Sequence, residues 1–317
     1  MSNLRKALTE YLLLRRAMGF KLYRPGKALL TFVQFAERSR VQVITIALAL
    51  RWAKLPNNAQ PDTWALRLGL VRGFAHYCQA IDSRNEVPPM GLLPFRCLRK
   101  TPYIYSQTEI RKILDATQKL FSKGGFHLRP HTYRAFFGLL ATTGMRISEA
   151  RLLDDRDVDL QKAILTIRTT KFGKARLVPL HSSACAALHR YRRLRNRQFP
   201  QQSATSFFVN KEGKCLSESA IRSAFHQILS FSAIQTPQGQ RRPRIHDLRH
   251  TFAVQTLRRW YRTNRNVQAW LPRLSTYLGH VHVNDTYWYF TAVPDLLRSA
   301  ARRLERVERR FPHEANS

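Results

Sequence analysis

The amino-acid sequence predicts a mainly α-helical protein in two parts, the second of which carries a small antiparallel β-sheet. Three observations predict this. Apolar residues recur at the three- and four-residue spacing of a helix face through most of the chain. A proline-rich break interrupts that pattern at residues 86–102. Two short apolar runs, residues 163–168 and 175–180, face each other across a six-residue segment containing glycine, the pattern of a β-hairpin.

In the first part, Leu4, Leu8, Tyr11, Leu12 and Arg15 share a helical stripe, as do Phe32, Phe35 and Ala36, and then Leu66, Leu70, Phe74 and Tyr77. Turn residues at Arg24-Pro25-Gly26 and Leu55-Pro56-Asn57-Asn58 divide it into four or so helices. A linker follows, Val87-Pro88-Pro89-Met90-Gly91 and then Pro94, with Arg96, Arg99 and Lys100 making it basic. Ser106 and Glu109, three apart ahead of an apolar run, have the spacing of a capping box and open the second part. The expected boundaries are 1–90 for a helical domain, 91–101 for the linker and 102–317 for the second domain. Within the latter, helices are expected around residues 133–140 and 147–153, ahead of the hairpin whose turn is Thr169-Thr170-Lys171-Phe172-Gly173-Lys174. Helical periodicity resumes at Ser182, breaks in a loop at residues 236–244 and returns to the end. There Ala300, Leu304 and Val307 form a stripe too narrow for an isolated helix, which calls for a partner surface.

Of the 317 residues, 44% are hydrophobic, enough for two cores. The charge balance is far less ordinary: 54 Lys plus Arg against 20 Asp plus Glu leave +34, with a pI of about 11.3. Such a chain calls for a polyanion, and nucleic acid fits best, because each neutralised phosphate releases counterions. The most apolar stretch, residues 41–50, is too short to cross a bilayer, and the N-terminus mixes acidic and basic residues, unlike a signal peptide. The expected setting is the cytoplasm, with no membrane partner. Cys78, Cys97, Cys185 and Cys215 are scattered without a CxxC pair, so reduced thiols are expected and no zinc ribbon.

Three clusters carry chemistry. In Thr142-Thr143-Gly144-Met145-Arg146-Ile147-Ser148-Glu149, the carboxylate lies one helical turn from the guanidinium and can hold it, although such a pair is commonly a surface ion pair. In Arg244-Ile245-His246-Asp247-Leu248-Arg249-His250, His246 and Arg249 are three apart and can meet one anion from one helix face. His246 and His250 also have the spacing of a helical zinc pair, but the metalloprotease motif needs Glu where Asp247 stands. In the third, Leu278-Gly279-His280 precedes Thr286-Tyr287-Trp288-Tyr289-Phe290, which in isolation reads as core packing.

Taken in order, these clusters resemble the tyrosine recombinase, or phage integrase, family: Arg in a Thr-Gly-Met-Arg-x-Ser-Glu helix, Lys on a hairpin, His-x-x-Arg-His, Leu-Gly-His, and Tyr nine residues after that His. The resemblance covers residues 101–297, and the helical first part resembles the family's SAM-like core-binding domain. The last cluster is most similar to integrases of transposon-type mobile elements. The resemblance implies catalytic Arg146, Lys171, His246, Arg249, His280 and Tyr289, with Glu149 orienting Arg146 and neither metal nor cofactor. Tyr289 would attack a phosphodiester, His246 would take its proton, Lys171 would protonate the leaving 5′ oxygen, and the two arginines would hold the non-bridging oxygens. Lys174 is a rival for Lys171, whose flanking residues depart from the glycines of many relatives; Tyr277 and Tyr287 are rivals for Tyr289. The implied partners are double-stranded DNA, held in a C-shaped clamp, and further protomers in a tetrameric synapse or a mixed assembly with related recombinases. A last helix docking on the neighbouring protomer would supply the partner surface noted above. The alternatives are a type IB topoisomerase-like strand relaxation and an inactive DNA-binding accessory protein.

The charge alone generates a test. Duplex DNA binding is expected to weaken steeply with salt, with a log-log slope of about −0.9 per phosphate neutralised, measured by gel shift between about 50 and 200 mM. Binding independent of salt over that range would contradict the reading.

Overall fold

A computed structural model describes residues 3–95, 101–120, 126–168, 175–200, 205–236, 241–263, 265–280, 282–293, 296–298, 300–302 and 305. The chain divides into two compact units, Met1–Arg99 and Lys100–Ser317. Lys171, Lys174, Cys97, the linker residues Arg96, Arg99 and Lys100, and Leu304 and Val307 of the last expected helix lie outside the described residues.

Among the described residues the first unit contains four helices: α1 (Asn3–Ala17), α2 (Tyr23–Arg38), α3 (Ile46–Lys54) and α4 (Pro61–Ile81). Its core is built on Phe32, Val33, Ala36, Trp52, Val71 and Phe74. The guanidinium of Arg67 lies 3.8 Å from the Trp52 ring centroid and donates to the Trp52 and Ala53 carbonyls, binding α4 to the end of α3. Two expectations are corrected here. Pro25-Gly26 is no turn but lies in the first turn of α2, where the missing proline N–H has no helical partner to lose. The inward stripe of α4 runs through Leu68, Val71, Ala75 and Cys78, so Leu66 faces outward at 60% exposure.

The second unit opens with α5 (Gln107–Ala116), and Ser106 and Glu109 form the expected capping box. It continues with α6 (Leu128–Thr143), α7 (Ile147–Arg151), three strands, α8 (Ser182–Gln198), α9 (Glu218–Ser232), α10 (Ile245–Arg262), α11 (Val267–Leu278) and α12 (Asn284–Ala292). The strands are β1 (Val158–Asp159), β2 (Ile164–Ile167) and β3 (Arg176–Pro179), antiparallel in the order β1-β2-β3. In the β2–β3 register Leu165 faces Val178 and Ile167 faces Arg176, while Leu165, Ile167 and Val178 enter the core. The two-residue β1 is too short to leave a period in the sequence. Phe136, Phe137, Phe207 and Phe208 pack edge to face at the centre of this core. A smaller cluster, with Leu257, Leu271, Leu278 and Tyr289, joins α10, α11 and α12. No helix among the described residues is long and apolar enough to cross a membrane.

Gly144 ends α6 in the left-handed conformation, with φ of 63°. A Cβ there would stand 2.5 Å from Cδ1 of Phe252 on α10, so glycine at this point lets α10 approach the end of α6. Gly144→Ala combines left-handed strain with overpacking and is expected to cost about 2 to 4 kcal/mol, or about 5 °C or more in Tm by calorimetry. An unchanged Tm would show that the close approach is not required.

Candidate active site

The three clusters singled out in the sequence converge on the C-terminal turn of α11. Its last carbonyls are unpaired within the helix and carry the negative end of the helix dipole, so they suit cations. Three guanidiniums occupy three successive carbonyls. Arg176 Nε donates to Tyr277 O at 2.9 Å, Arg249 Nη2 to Leu278 O at 2.7 Å, and Arg146 Nη2 to Gly279 O at 2.7 Å. Gly279 has φ of 69° and stops the helix there; a Cβ on it would meet Arg176 Nη1 at 2.9 Å and Arg146 Nη1 at 3.3 Å. Glycine is needed both for the turn and for the guanidiniums above it.

Each arginine is also held from its own side. Arg146 precedes α7, its amide donating to Glu149 Oε2 at 2.8 Å and its Nη1 to Oε1 at 2.9 Å. Arg176 on β3 donates to both oxygens of the same carboxylate, at 3.0 and 2.8 Å. The Glu149 side chain is only 1% exposed, and burial alone would raise its pKa. The hydrogen bonds from Arg176 and from the Arg146 amide outweigh burial, so it is held below the usual carboxylate value and charged. Arg249 projects from α10, is 3% exposed, and donates Nη1 to the Gly144 carbonyl at 2.8 Å. Burial and the charge of Arg146 lower its pKa to about 10, which leaves it cationic at neutral pH.

The start of α10 is fastened by Asp247, which accepts from the Arg244 amide at 2.8 Å and from Arg244 Nη2 at 3.2 Å. The Thr251 hydroxyl donates to the Asp247 carbonyl and accepts from the Tyr105 amide. His246, His250 and Arg249 are thereby set on one helix end. His246 keeps an exposed face but is hemmed in by protein. Desolvation and the charges of Arg249, Arg244 and Arg146 bring its pKa to about 4. His280 shares a 2.7 Å hydrogen bond through Nδ1 with Thr286 Oγ1 and is lowered to about 4, by burial first and then by Arg249.

Tyr289 lies on α12 with its ring 2% exposed. Its hydroxyl meets His250 Nδ1 at 3.1 Å, whereas the resemblance had given the phenolic proton to His246. The His250 ring in turn stands edge to face with His246 at a centroid distance of 4.7 Å. Of the rival tyrosines, Tyr287 is 50% exposed on the other side of α12. Tyr277 stacks on Phe252 at 5.5 Å, and burial raises its pKa to about 12. The site therefore gathers Arg146, Glu149, His246, Arg249, His280 and Tyr289, and adds Arg176 and His250. Arg176 had no signal of its own among 54 basic residues. His250 stood in the sequence as the last residue of His-x-x-Arg-His and as half of a zinc spacing, with no role assigned to it.

The phage integrase family model matches residues 104–294. The putative integrase/recombinase y4rB of Sinorhizobium fredii is 46% identical over 96% of this chain and 98% of its own length. Tyrosine recombinase XerC of Halalkalibacterium halodurans is 30% identical over 76% of this chain and 75% of its own. Among solved structures, the Tn1549 transposon integrase in complex with transposon right end DNA superposes with a TM-score of 0.65 at 16% identity, covering 96% of this chain and 100% of that one. The mainly helical fold with a three-stranded sheet is that of the tyrosine recombinases. The chain belongs to the phage integrase family.

The depressed histidines make stability depend on pH. An unfolded histidine titrates near 6.5, but these stay neutral to about 4 for His246 and His280 and about 3 for His250. As pH falls below 6.5 the unfolded chain takes up protons that the folded site refuses, so stability present above that pH is progressively lost. The unfolding midpoint is expected to fall between about pH 6.5 and 5, a window above most carboxylate titrations, as urea melts would read. A flat profile there would mean that these rings are less desolvated than the fold implies.

Proposed function

We propose that this protein is a site-specific recombinase of a mobile DNA element that cuts and rejoins duplex DNA through Tyr289. The observation that carries this reading is the convergence of Arg146, Arg249, His280 and the Tyr289 hydroxyl on the end of α11 and the adjoining α12. Arg146 and Arg249 supply positive charge for the non-bridging oxygens of a phosphodiester, and their carbonyl and carboxylate anchors hold them before substrate arrives. The phenolic oxygen bonds to phosphorus as the bond to the 5′ oxygen breaks, leaving a 3′-phosphotyrosyl link and a free 5′ hydroxyl. Because the ester is exchanged rather than hydrolysed, a second 5′ hydroxyl reverses the step and joins a new strand. His246 and His280 would face the phosphate, Glu149 would orient Arg146, and Lys171 would protonate the leaving oxygen, with Lys174 as its alternate.

The helical first unit, taken as the core-binding domain, would grip the same duplex as the catalytic unit in a clamp. Four protomers on two duplexes would complete an exchange. The net charge of +34 supports DNA as partner. The similarity to a putative integrase/recombinase over nearly the whole of both chains supports strand exchange, and the likeness in fold to the Tn1549 transposon integrase supports the mobile-element role.

A pool of nicked duplexes, randomised around the nick, tests this by trapping covalent adducts in detergent. The wild-type protein is expected to form a 3′-linked adduct at Tyr289 and Tyr289→Phe none, with DNA binding retained. Tyr287→Phe should keep the adduct, and EDTA should not change it. Arg146→Ala and Arg249→Ala should each slow cleavage by about 100-fold or more, as loss of a preorganised donor does. An adduct mapping to Tyr277 or Tyr287, or a 5′-phosphate product needing a divalent ion, would refute the mechanism.

A further inference from the structure

We propose that His250 is the group that receives the phenolic proton of Tyr289 when this tyrosine attacks DNA. The assignment rests on the recombinase reading above and deepens it. His250 Nδ1 is the ring nitrogen placed 3.1 Å from the Tyr289 hydroxyl, within direct reach of the proton that must leave. Two further observations bear on it. The His250 ring is fixed on several sides, against Trp288 at 5.4 Å, Tyr289 at 5.6 Å and His246 at 4.7 Å, so its nitrogen is presented in one orientation. The ring is also neutral at rest: burial, then the neighbouring His246, Arg244, Arg249 and His280, press its pKa to about 3. A neutral ring protonated on Nε2 leaves Nδ1 free to accept, so the Tyr289 hydroxyl donates to it.

So weak a base cannot ionise the phenol before DNA arrives, and the resting tyrosine stays protonated. A phosphate bound between Arg146 and Arg249 changes this, since its negative charge cancels the guanidinium field that disfavours an imidazolium. In the step itself, the Oη–phosphorus bond forms and the phosphorus–5′ oxygen bond breaks. The Tyr289 proton passes to His250 Nδ1, and the leaving oxygen takes its proton from the general acid, Lys171 in the reading above. Rejoining returns the proton from Nδ1 to Tyr289. The exposed His246, which carries the equivalent role by resemblance, is left to the phosphate.

Single-turnover cleavage of a trapped sequence from the nicked-duplex pool tests the assignment. His250→Ala is expected to slow adduct formation by about 100-fold or more, the usual share of a general base. His250→Asn places an amide where Nδ1 stands, so it keeps the hydrogen bond and the fold, checked by melting, but cannot take a proton; it is expected to be as slow as His250→Ala. Installing 3,5-difluorotyrosine at position 289, whose phenol is more acidic, should recover about tenfold in His250→Ala and little in His246→Ala. Cleavage by His250→Asn within about threefold of wild type would make His250 a mere holder of the ring, and rescue of His246→Ala instead would return the role to His246; either result overturns the assignment. If the wild-type protein forms adducts and these variants behave so, only this assignment falls; if the wild type forms none, the recombinase reading falls with it.

Discussion

The site depends on how the C-terminal turn of α11 is satisfied. Helix ends expose carbonyls that must find donors, and here residues 277, 278 and 279 find them in three arginines from separate parts of the chain. The arrangement serves two purposes. It neutralises the negative end of a helix, and it fixes three cations at one point in a molecule whose charge would otherwise scatter them. The anchors take only some of the guanidinium N–H groups, and a guanidinium carries five. The guanidinium donors at this point are therefore oriented by protein contacts alone.

Crowding three guanidiniums is costly without a counter-charge, and Glu149 provides it. Its two oxygens receive bonds from Arg146 and Arg176, and it caps α7 through the Arg146 amide. Removing a buried carboxylate of this kind leaves uncompensated cations, which is far more damaging than losing a surface ion pair. Glu149 also ties β3, and with it one end of the strand connection that carries Lys171, to the arginine of α7. The positioning of Arg146 and the anchoring of β3 are thus one network.

Tyr289 is held on different principles. Its ring is part of an apolar cluster with Leu257, Leu271 and Leu278, while its hydroxyl has a polar partner in His250. Burying a phenol costs less when its hydroxyl is hydrogen-bonded, and His250 Nδ1 at 3.1 Å contributes to that. The short α12 carries Thr286 and Tyr289 one turn apart, one facing His280 and the other His250. The helix therefore sets both histidine contacts together.

The sequence by itself determined the class of fold, the division into a helical first part and a mixed second part, and five of the residues that lie together at the candidate site, Arg146, His246, Arg249, His280 and Tyr289. These were legible because helical period, capping residues such as Ser106 and Glu109, and motif spacing are local properties of the chain. Finer local readings failed where two periods fit equally well, as with Leu66 on α4, or where a proline suits a first helical turn as readily as a loop, as with Pro25. Only the tertiary structure decided that Arg176 joins Glu149 and that His250 rather than His246 meets the Tyr289 hydroxyl, contacts that span 27 and 39 residues of sequence. The physical reason is that such contacts depend on the angle at which α10, α11 and α12 pack, and on glycines 144 and 279 that let backbone and guanidinium approach. Neither leaves a period or a spacing in the chain.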